Sequence, residues 1–222
     1  MSEFINTLTA EFEKNANAKI AREQKAYMRN QFEFYGLKTT ERRKIQKPFF
    51  IKELLPQKKD LHKIVKIVWK KPQREYQYFS QELVWRYAKP FEKRDIELLE
   101  FMITHKSWWD TVDFIAVKLI GAYFRQYPEE RNRYVVKWLA SGNIWLQRTA
   151  LLFQLKYKRN IDTGLLGKTI LSLLGLDEFF INKAIGWVLR EYSRTNPEWV
   201  LTFADETELS PLSKREALRL IE

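Results

Sequence analysis

Apolar residues recur at i, i+3, i+4 and i+7 along almost the whole chain, and this period constrains the fold more than any other feature. Leu61, Ile64, Val65 and Val68 make one such stripe, and Ile96 and Leu99, followed by Phe101 and Met102, begin another. A stripe of this period is one face of a helix and has to be buried against a neighbour. Breaks fall near Gly36, Pro56, Pro72, Pro90, Pro128, Gly142 and Pro197, dividing the chain into about a dozen short helices with short connections. Only 7 glycines and 7 prolines occur in 222 residues, which leaves little turn chemistry for hairpins, so the expected class is all-α.

A longer period lies above the helical one. The run Gln73-Arg74-Glu75-Tyr76 can be laid on Asp110-Thr111-Val112-Asp113, on Gln147-Arg148-Thr149-Ala150 and on Asn182-Lys183-Ala184-Ile185, with shifts of 37, 37 and 35 residues. That is the length of a two-helix unit of the HEAT or TPR kind, which stacks into a curved array of antiparallel helix pairs. No linker or low-complexity stretch interrupts it, so residues 1–222 are expected to form a single HEAT-like repeat domain. In this register Asp113 stands where the other repeats have Tyr76, Ala150 and Ile185, an acid in an otherwise uncharged column.

Lysine and arginine outnumber the acids by 39 to 28, for a net charge of +11 and a pI near 9.6, which favours nucleic acid as partner. A membrane span needs about 20 consecutive apolar residues, and no run approaches that. The start, Met1-Ser2-Glu3-Phe4, lacks a signal-peptide pattern, so a cytoplasmic protein is expected. Cysteine is absent and His62 and His105 are the only histidines. Thiol chemistry, disulfides and the zinc chemistry of base deaminases are thereby excluded, and neither a metal nor another cofactor is expected. Asp162-Thr163-Gly164-Leu165-Leu166-Gly167-Lys168-Thr169 ends like a phosphate-binding loop, but Asp162 replaces its first glycine and no strand precedes it.

Carboxylates and aromatics are left to carry any chemistry. Ser107-Trp108-Trp109-Asp110 fits a capping box, with Ser107 at the cap and Asp110 reaching back, which gives Asp110 a structural reason. Asp113 has none of that kind, since it lies one turn further in, beside Val112, Ile115, Ala116 and Leu119, where it loses solvation unless a cation or donor compensates it. Its structural alternative is a salt bridge to a basic residue of a neighbouring repeat. Trp109 and Asp113, at i and i+4, share a helix face. Trp145 with Arg148 and Trp187 with Arg190 follow at i, i+3, each setting an indole beside a guanidinium that could hold a phosphate, although a tryptophan taken singly is more often core. An indole face and an anion together suit a cation. A second candidate surface lies at Tyr35-Gly36-Leu37-Lys38-Thr39-Thr40-Glu41-Arg42-Arg43-Lys44. There Gly36 would end one helix and Thr39 or Thr40 cap the next, with Arg42, Arg43, Lys44 and Lys47 nearby as a phosphate clamp or as plain solvated charge.

These residues resemble the AlkC/AlkD family of bacterial DNA alkylation-repair glycosylases, most closely its AlkD branch, over nearly the whole chain. The resemblance is carried by Tyr27-Met28-Arg29-Asn30 through Phe34-Tyr35-Gly36 and Arg42-Arg43, by Ser107 to Asp113, by Gln147-Arg148-Thr149-Ala150, and by Phe179 to Trp187 with Arg190. It implies a HEAT-like solenoid that holds duplex DNA and hydrolyses the N-glycosidic bond of N3- and N7-alkylated purines, without flipping the base into a pocket. It also implies that Asp113, Trp109 and Trp187 form the catalytic cleft, and that Arg148, Arg190, Tyr27, Thr39, Arg43 and Lys47 contact DNA. A bacterial protein of the nucleoid, acting as a monomer on double-stranded DNA containing alkylated bases, is the expected setting. The rival readings are a non-catalytic nucleic-acid-binding HEAT protein and a protein-binding scaffold.

Overall fold

The computed structural model describes residues 2–221, and among them it is all-α. Among these residues the only bridge-type backbone pairing is an isolated one between Glu33 and Gln73. Contacts concentrate in two compact units, residues 1–90 and 91–222.

The first unit holds α1 (Ser2–Lys14), α2 (Ala18–Tyr27), α3 (Thr39–Gln46), α4 (Lys58–Trp69) and α5 (Arg74–Arg86). The apolar stripe of α4, Leu61, Ile64, Val65 and Val68, is buried as its spacing requires, together with Phe12, Phe79 and Leu83. α2 ends at Tyr27, not at Gly36, and Arg29 and Asn30 take left-handed backbone after it. Gly36 instead shapes the long turn that leads to α3. Its φ is +87°, and a Cβ there would lie 2.1 Å from the Asn17 carbonyl oxygen, so only glycine lets the turn press on the start of α2.

The second unit holds α6 (Asp95–Thr104), α7 (Trp109–Phe114), α8 (Gly121–Gln126), α9 (Arg131–Ala140), α10 (Ile144–Leu152), α11 (Thr163–Leu171), α12 (Phe179–Ser193), α13 (Pro197–Glu206) and α14 (Pro211–Leu218). A π-helical stretch, Ile115–Ile120, joins α7 to α8. α10 packs between α7 and α12, and α12 packs against α14, so the second helix of each pair meets the second helix of the next. Their shared core includes Ala116, Leu151, Ile170, Ile185, Val188 and Leu189. Side-chain caps start several of these helices: the Asn143 oxygen accepts from the Trp145 and Leu146 amides, Asp162 from Leu165, and Asn196 from Trp199. Asp162 is therefore a helix cap, and the Gly-Lys-Thr run lies inside α11.

The repeat is present but its register differs from the one read off the polar runs. The residues preceding α5, α7, α10 and α12 are Gln73, Trp108, Asn143 and Glu178, each 35 positions after the last. Side chains agree with this spacing. The Gln77 amide donates to the Trp69 carbonyl and the Gln147 amide to the Leu139 carbonyl, each eight residues back, and the two glutamines are two repeats apart. Helix starts, not local composition, define the unit, so the similar polar runs after the first lie two to four residues out of step with it. In the corrected register Asp113 aligns with Tyr78, Arg148 and Lys183, so its column carries a cation in each of the next two repeats.

Candidate active site

α7 begins at Trp109 without the expected capping box. Trp108 is the preceding residue, in extended backbone, and no side chain accepts from the first amides. The Ser107 hydroxyl donates backwards to the Ile103 carbonyl at 2.6 Å. Chain direction explains this: Ser107 lies one residue too early to face the first turn of the helix.

Asp113 is the penultimate residue of α7, one turn after Trp109, and the π-helical stretch follows within two residues. A π segment widens the helix by one residue per turn and is found often at functional sites; nothing in the hydrophobic period signals it. Asp113 sits opposite Arg148 of α10, 35 residues on. Nε of Arg148 donates to Oδ1 of Asp113 at 2.7 Å and a terminal nitrogen donates to Oδ2 at 2.8 Å. The other terminal nitrogen donates to the Phe180 carbonyl at 2.5 Å, which ties α7, α10 and the first turn of α12 to one guanidinium. Such a two-pronged pair fixes the carboxylate in position and in plane. The side chain of Arg148 is only 4% exposed, whereas that of Asp113 is 18% exposed. Arg148, expected on the DNA backbone, thus spends its donors inside the protein and faces the acid.

Burial pushes the Asp113 carboxyl above its ordinary range, and the charge of Asp110 adds to the push. The Arg148 pair opposes it, and burial is the larger effect.

An aromatic cluster for which the sequence gives no signal involves the start of α7 and the first residues of α10 and α12, the helices that Arg148 ties together. Trp108, Trp145 and Phe180 form a triangle, with ring centroids 5.7, 5.3 and 5.0 Å apart. Trp145 and Phe180 occupy the same position in successive repeats, 35 residues apart, a coincidence visible only in the corrected register. The rings pack edge to face or tilted, the arrangements that ring quadrupoles favour. Phe179 stands beside Phe180 and is 57% exposed.

Trp187 is half-buried on α12 against the core of the second unit. Arg190, one turn along, is held by Glu216 of α14 at 2.5 Å, and Lys183, one turn before, reaches the same carboxylate at 2.7 Å. The two cations hold the Glu216 carboxyl below the usual range, Lys183 contributing most. Gly186 makes the approach possible, since a Cβ there would lie 2.5 Å from that of Glu216.

In the first unit, Tyr27 is 74% exposed, and Thr39, Arg43 and Lys47 are exposed as a phosphate contact requires. Thr39 is the first residue of α3, not its cap; Lys38 takes the cap position and no side chain bonds the first amides. Arg42 is buried, bound to Gln46 at 2.8 Å and to Glu82 at 3.0 Å, and Arg43 shares Glu82 at 3.2 Å. The amides of the Gly36 turn are filled from within the protein. The Glu75 carboxylate accepts from Tyr35, Gly36 and Leu37 at 3.1, 3.0 and 3.1 Å.

Among the described residues no group of three histidines, cysteines or acids is placed to hold a metal, and no helix is long and apolar enough to cross a membrane. What remains is an all-α protein of paired-helix repeats, with a strong excess of basic residues and, in Asp113, a largely buried acid paired with Arg148 that keeps an exposed edge. Its sequence matches the family model of DNA alkylation repair enzymes over residues 8–221, and the chain belongs to that family. Among solved structures it is similar to "Predicted DNA alkylation repair enzyme from Enterococcus faecalis", at 33% identity and a TM-score of 0.86, over 92% of this chain and 95% of that one. No curated protein matches. Family membership gives the protein a role in DNA repair, with DNA as its substrate.

Proposed function

We propose that the protein is a DNA glycosylase that hydrolyses the N-glycosidic bond of cationic N3- and N7-alkylated purines in duplex DNA, leaving the base unflipped until it departs. The observation that carries this reading is Asp113: a carboxylate fixed in plane by Arg148, one turn from Trp109, with an edge still open to solvent. Alkylation at N7 or N3 charges the base, and its departure as a neutral molecule relieves that charge. The leaving group therefore needs no general acid, and one carboxylate suffices where ordinary glycoside hydrolysis uses two.

As the bond breaks, positive charge moves to the sugar. Asp113 stabilises it and orients the attacking water, and partial exclusion of solvent strengthens both effects. The faces of Trp109 and Trp187 supply walls that favour a cation. Arg148 acts through Asp113, holding its plane. Tyr27, Thr39, Arg43, Lys47 and Arg190 are assigned to the DNA backbone, which positions without reading sequence.

Release of free 7-methylguanine from methylated duplex DNA tests the reading. The wild type is expected to release it and Asp113→Asn to bind the duplex but lose most excision. Full activity in the variant would sink the assignment, and binding without release by the wild type would leave a non-catalytic DNA-binding protein.

A further inference from the structure

Lys158 has a backbone that a lysine seldom adopts. Its φ is +54°, in the left-handed region where Cβ crowds the next carbonyl and glycine or asparagine is the usual occupant. Among the described residues no hydrogen bond or ion pair engages its ammonium, so the side chain gives nothing back to the fold. Strain kept without local return is a reason to look for a ligand.

Lys158 lines a cavity of about 280 Å³ between the turn after α10 and the end of α12, with Glu191, Tyr192, Arg194 and Thr195. Lys156 is bound to Glu191 at 2.5 Å, and Arg194 lies 3.8 Å from the same acid. Lys156, Lys158 and Arg194 are exposed, and Lys156 and Arg194 both meet Glu191 beside the cavity that Lys158 lines. Arg194 also continues a line along α12. Trp187, Arg190 and Arg194 are spaced by three and four residues and share one face, and Arg194 lies about 6 Å beyond Arg190 along the axis.

We propose that this basic cavity is a further DNA-phosphate site, in which Lys158 and Arg194 hold the backbone of the strand whose neighbouring phosphate reaches Arg190. It rests on the proposed glycosylase function for its substrate. A cation at a helix C-terminus also offsets the partial charge of the last carbonyls, which would explain Arg194 alone. It does not explain a lysine in left-handed backbone at position 158.

The test uses Lys158→Gly, Arg194→Ala and Arg194→Lys, with binding to undamaged duplex DNA measured across a salt series. Each of the first two is expected to weaken binding about tenfold at 0.1 M salt and to flatten the logarithmic salt slope by about 0.9, and Arg194→Lys to recover most of the slope. Lys158→Gly should melt no lower than the wild type, because glycine relieves the backbone. Unchanged slopes would overturn the proposal, as would a lowered melting temperature in Lys158→Gly with binding intact. A wild type that binds duplex but releases no methylated base would overturn the glycosylase reading, while the slopes still decide the phosphate site.

Discussion

Glu75 in the first unit and Asp113 in the second are both carboxylates on the second helix of a repeat, and burial raises both above their ordinary range. They differ in how their oxygens are used. Glu75 is completely buried, and three backbone N–H groups of the Gly36 turn converge on it. Asp113 keeps an exposed edge, and the two N–H groups of Arg148 fill only half of the about four acceptor positions of a carboxylate. A buried acid whose acceptors are filled by backbone is part of the architecture. One whose acceptors are half filled by a single fixed cation can still meet a substrate. The same desolvation thus serves stability in one unit and chemistry in the other.

The largest expected effect separates the two acids by function. Asp113→Asn should lower single-turnover release of 7-methylguanine by about 10²- to 10³-fold while the far-ultraviolet circular dichroism stays that of the wild type. Equal losses of rate and of helix would erase the distinction. Glu75→Ala should do the reverse: three orphaned amides should cost about 3 kcal/mol, read as a melting temperature lower by roughly 6–12 °C, with excision little changed at temperatures where the variant is folded. Gly36→Ala probes the other side of the same lock. The added methyl must push against the Asn17 carbonyl, and a loss of about 2 kcal/mol is expected in urea unfolding; a neutral outcome would mean that the turn is not held against α2.

The smallest effect is in pH dependence, and its sign follows from the role of the charge. Asp113 works ionised, so excision should be present above its pKa and fall as pH drops through it, at a value above the ordinary aspartate range because burial outweighs Arg148. Arg148→Gln removes the group that pulls the pKa down, so the acid limb should move to higher pH. A limb that stays in place would show that the guanidinium does not set the charge of Asp113. No corresponding limb in excision is expected from Glu75.

The period of the apolar residues was enough to give the helices, and low glycine and proline content excluded a sheet architecture. Asp113 was legible as an acid placed beside the apolar stripe of its own helix, and its salt bridge to a neighbouring repeat was one of the two readings its position allowed. The register of the repeat was not legible, because it is set by where helices begin. Trp108 is at one of those starts, yet it resembles none of Gln73, Asn143 and Glu178 as a residue type. With the register displaced, the alignment of Trp145 with Phe180, and of Asp113 with Arg148, stayed hidden. Lys158 and the π-helical stretch after Asp113 left no signal either, since backbone conformation at a single residue is not encoded in hydrophobic spacing.

Local chemistry therefore determined the helical class, the excess of positive charge and the residue types available for reaction, because each depends on spacing or composition along the chain. The tertiary structure alone decided the partners. Arg148 is 35 residues from Asp113 and Glu216 is 26 from Arg190, and at such separations only packed neighbouring helices can choose which acid meets which cation, which amides are filled from within and which carboxylate keeps an open edge.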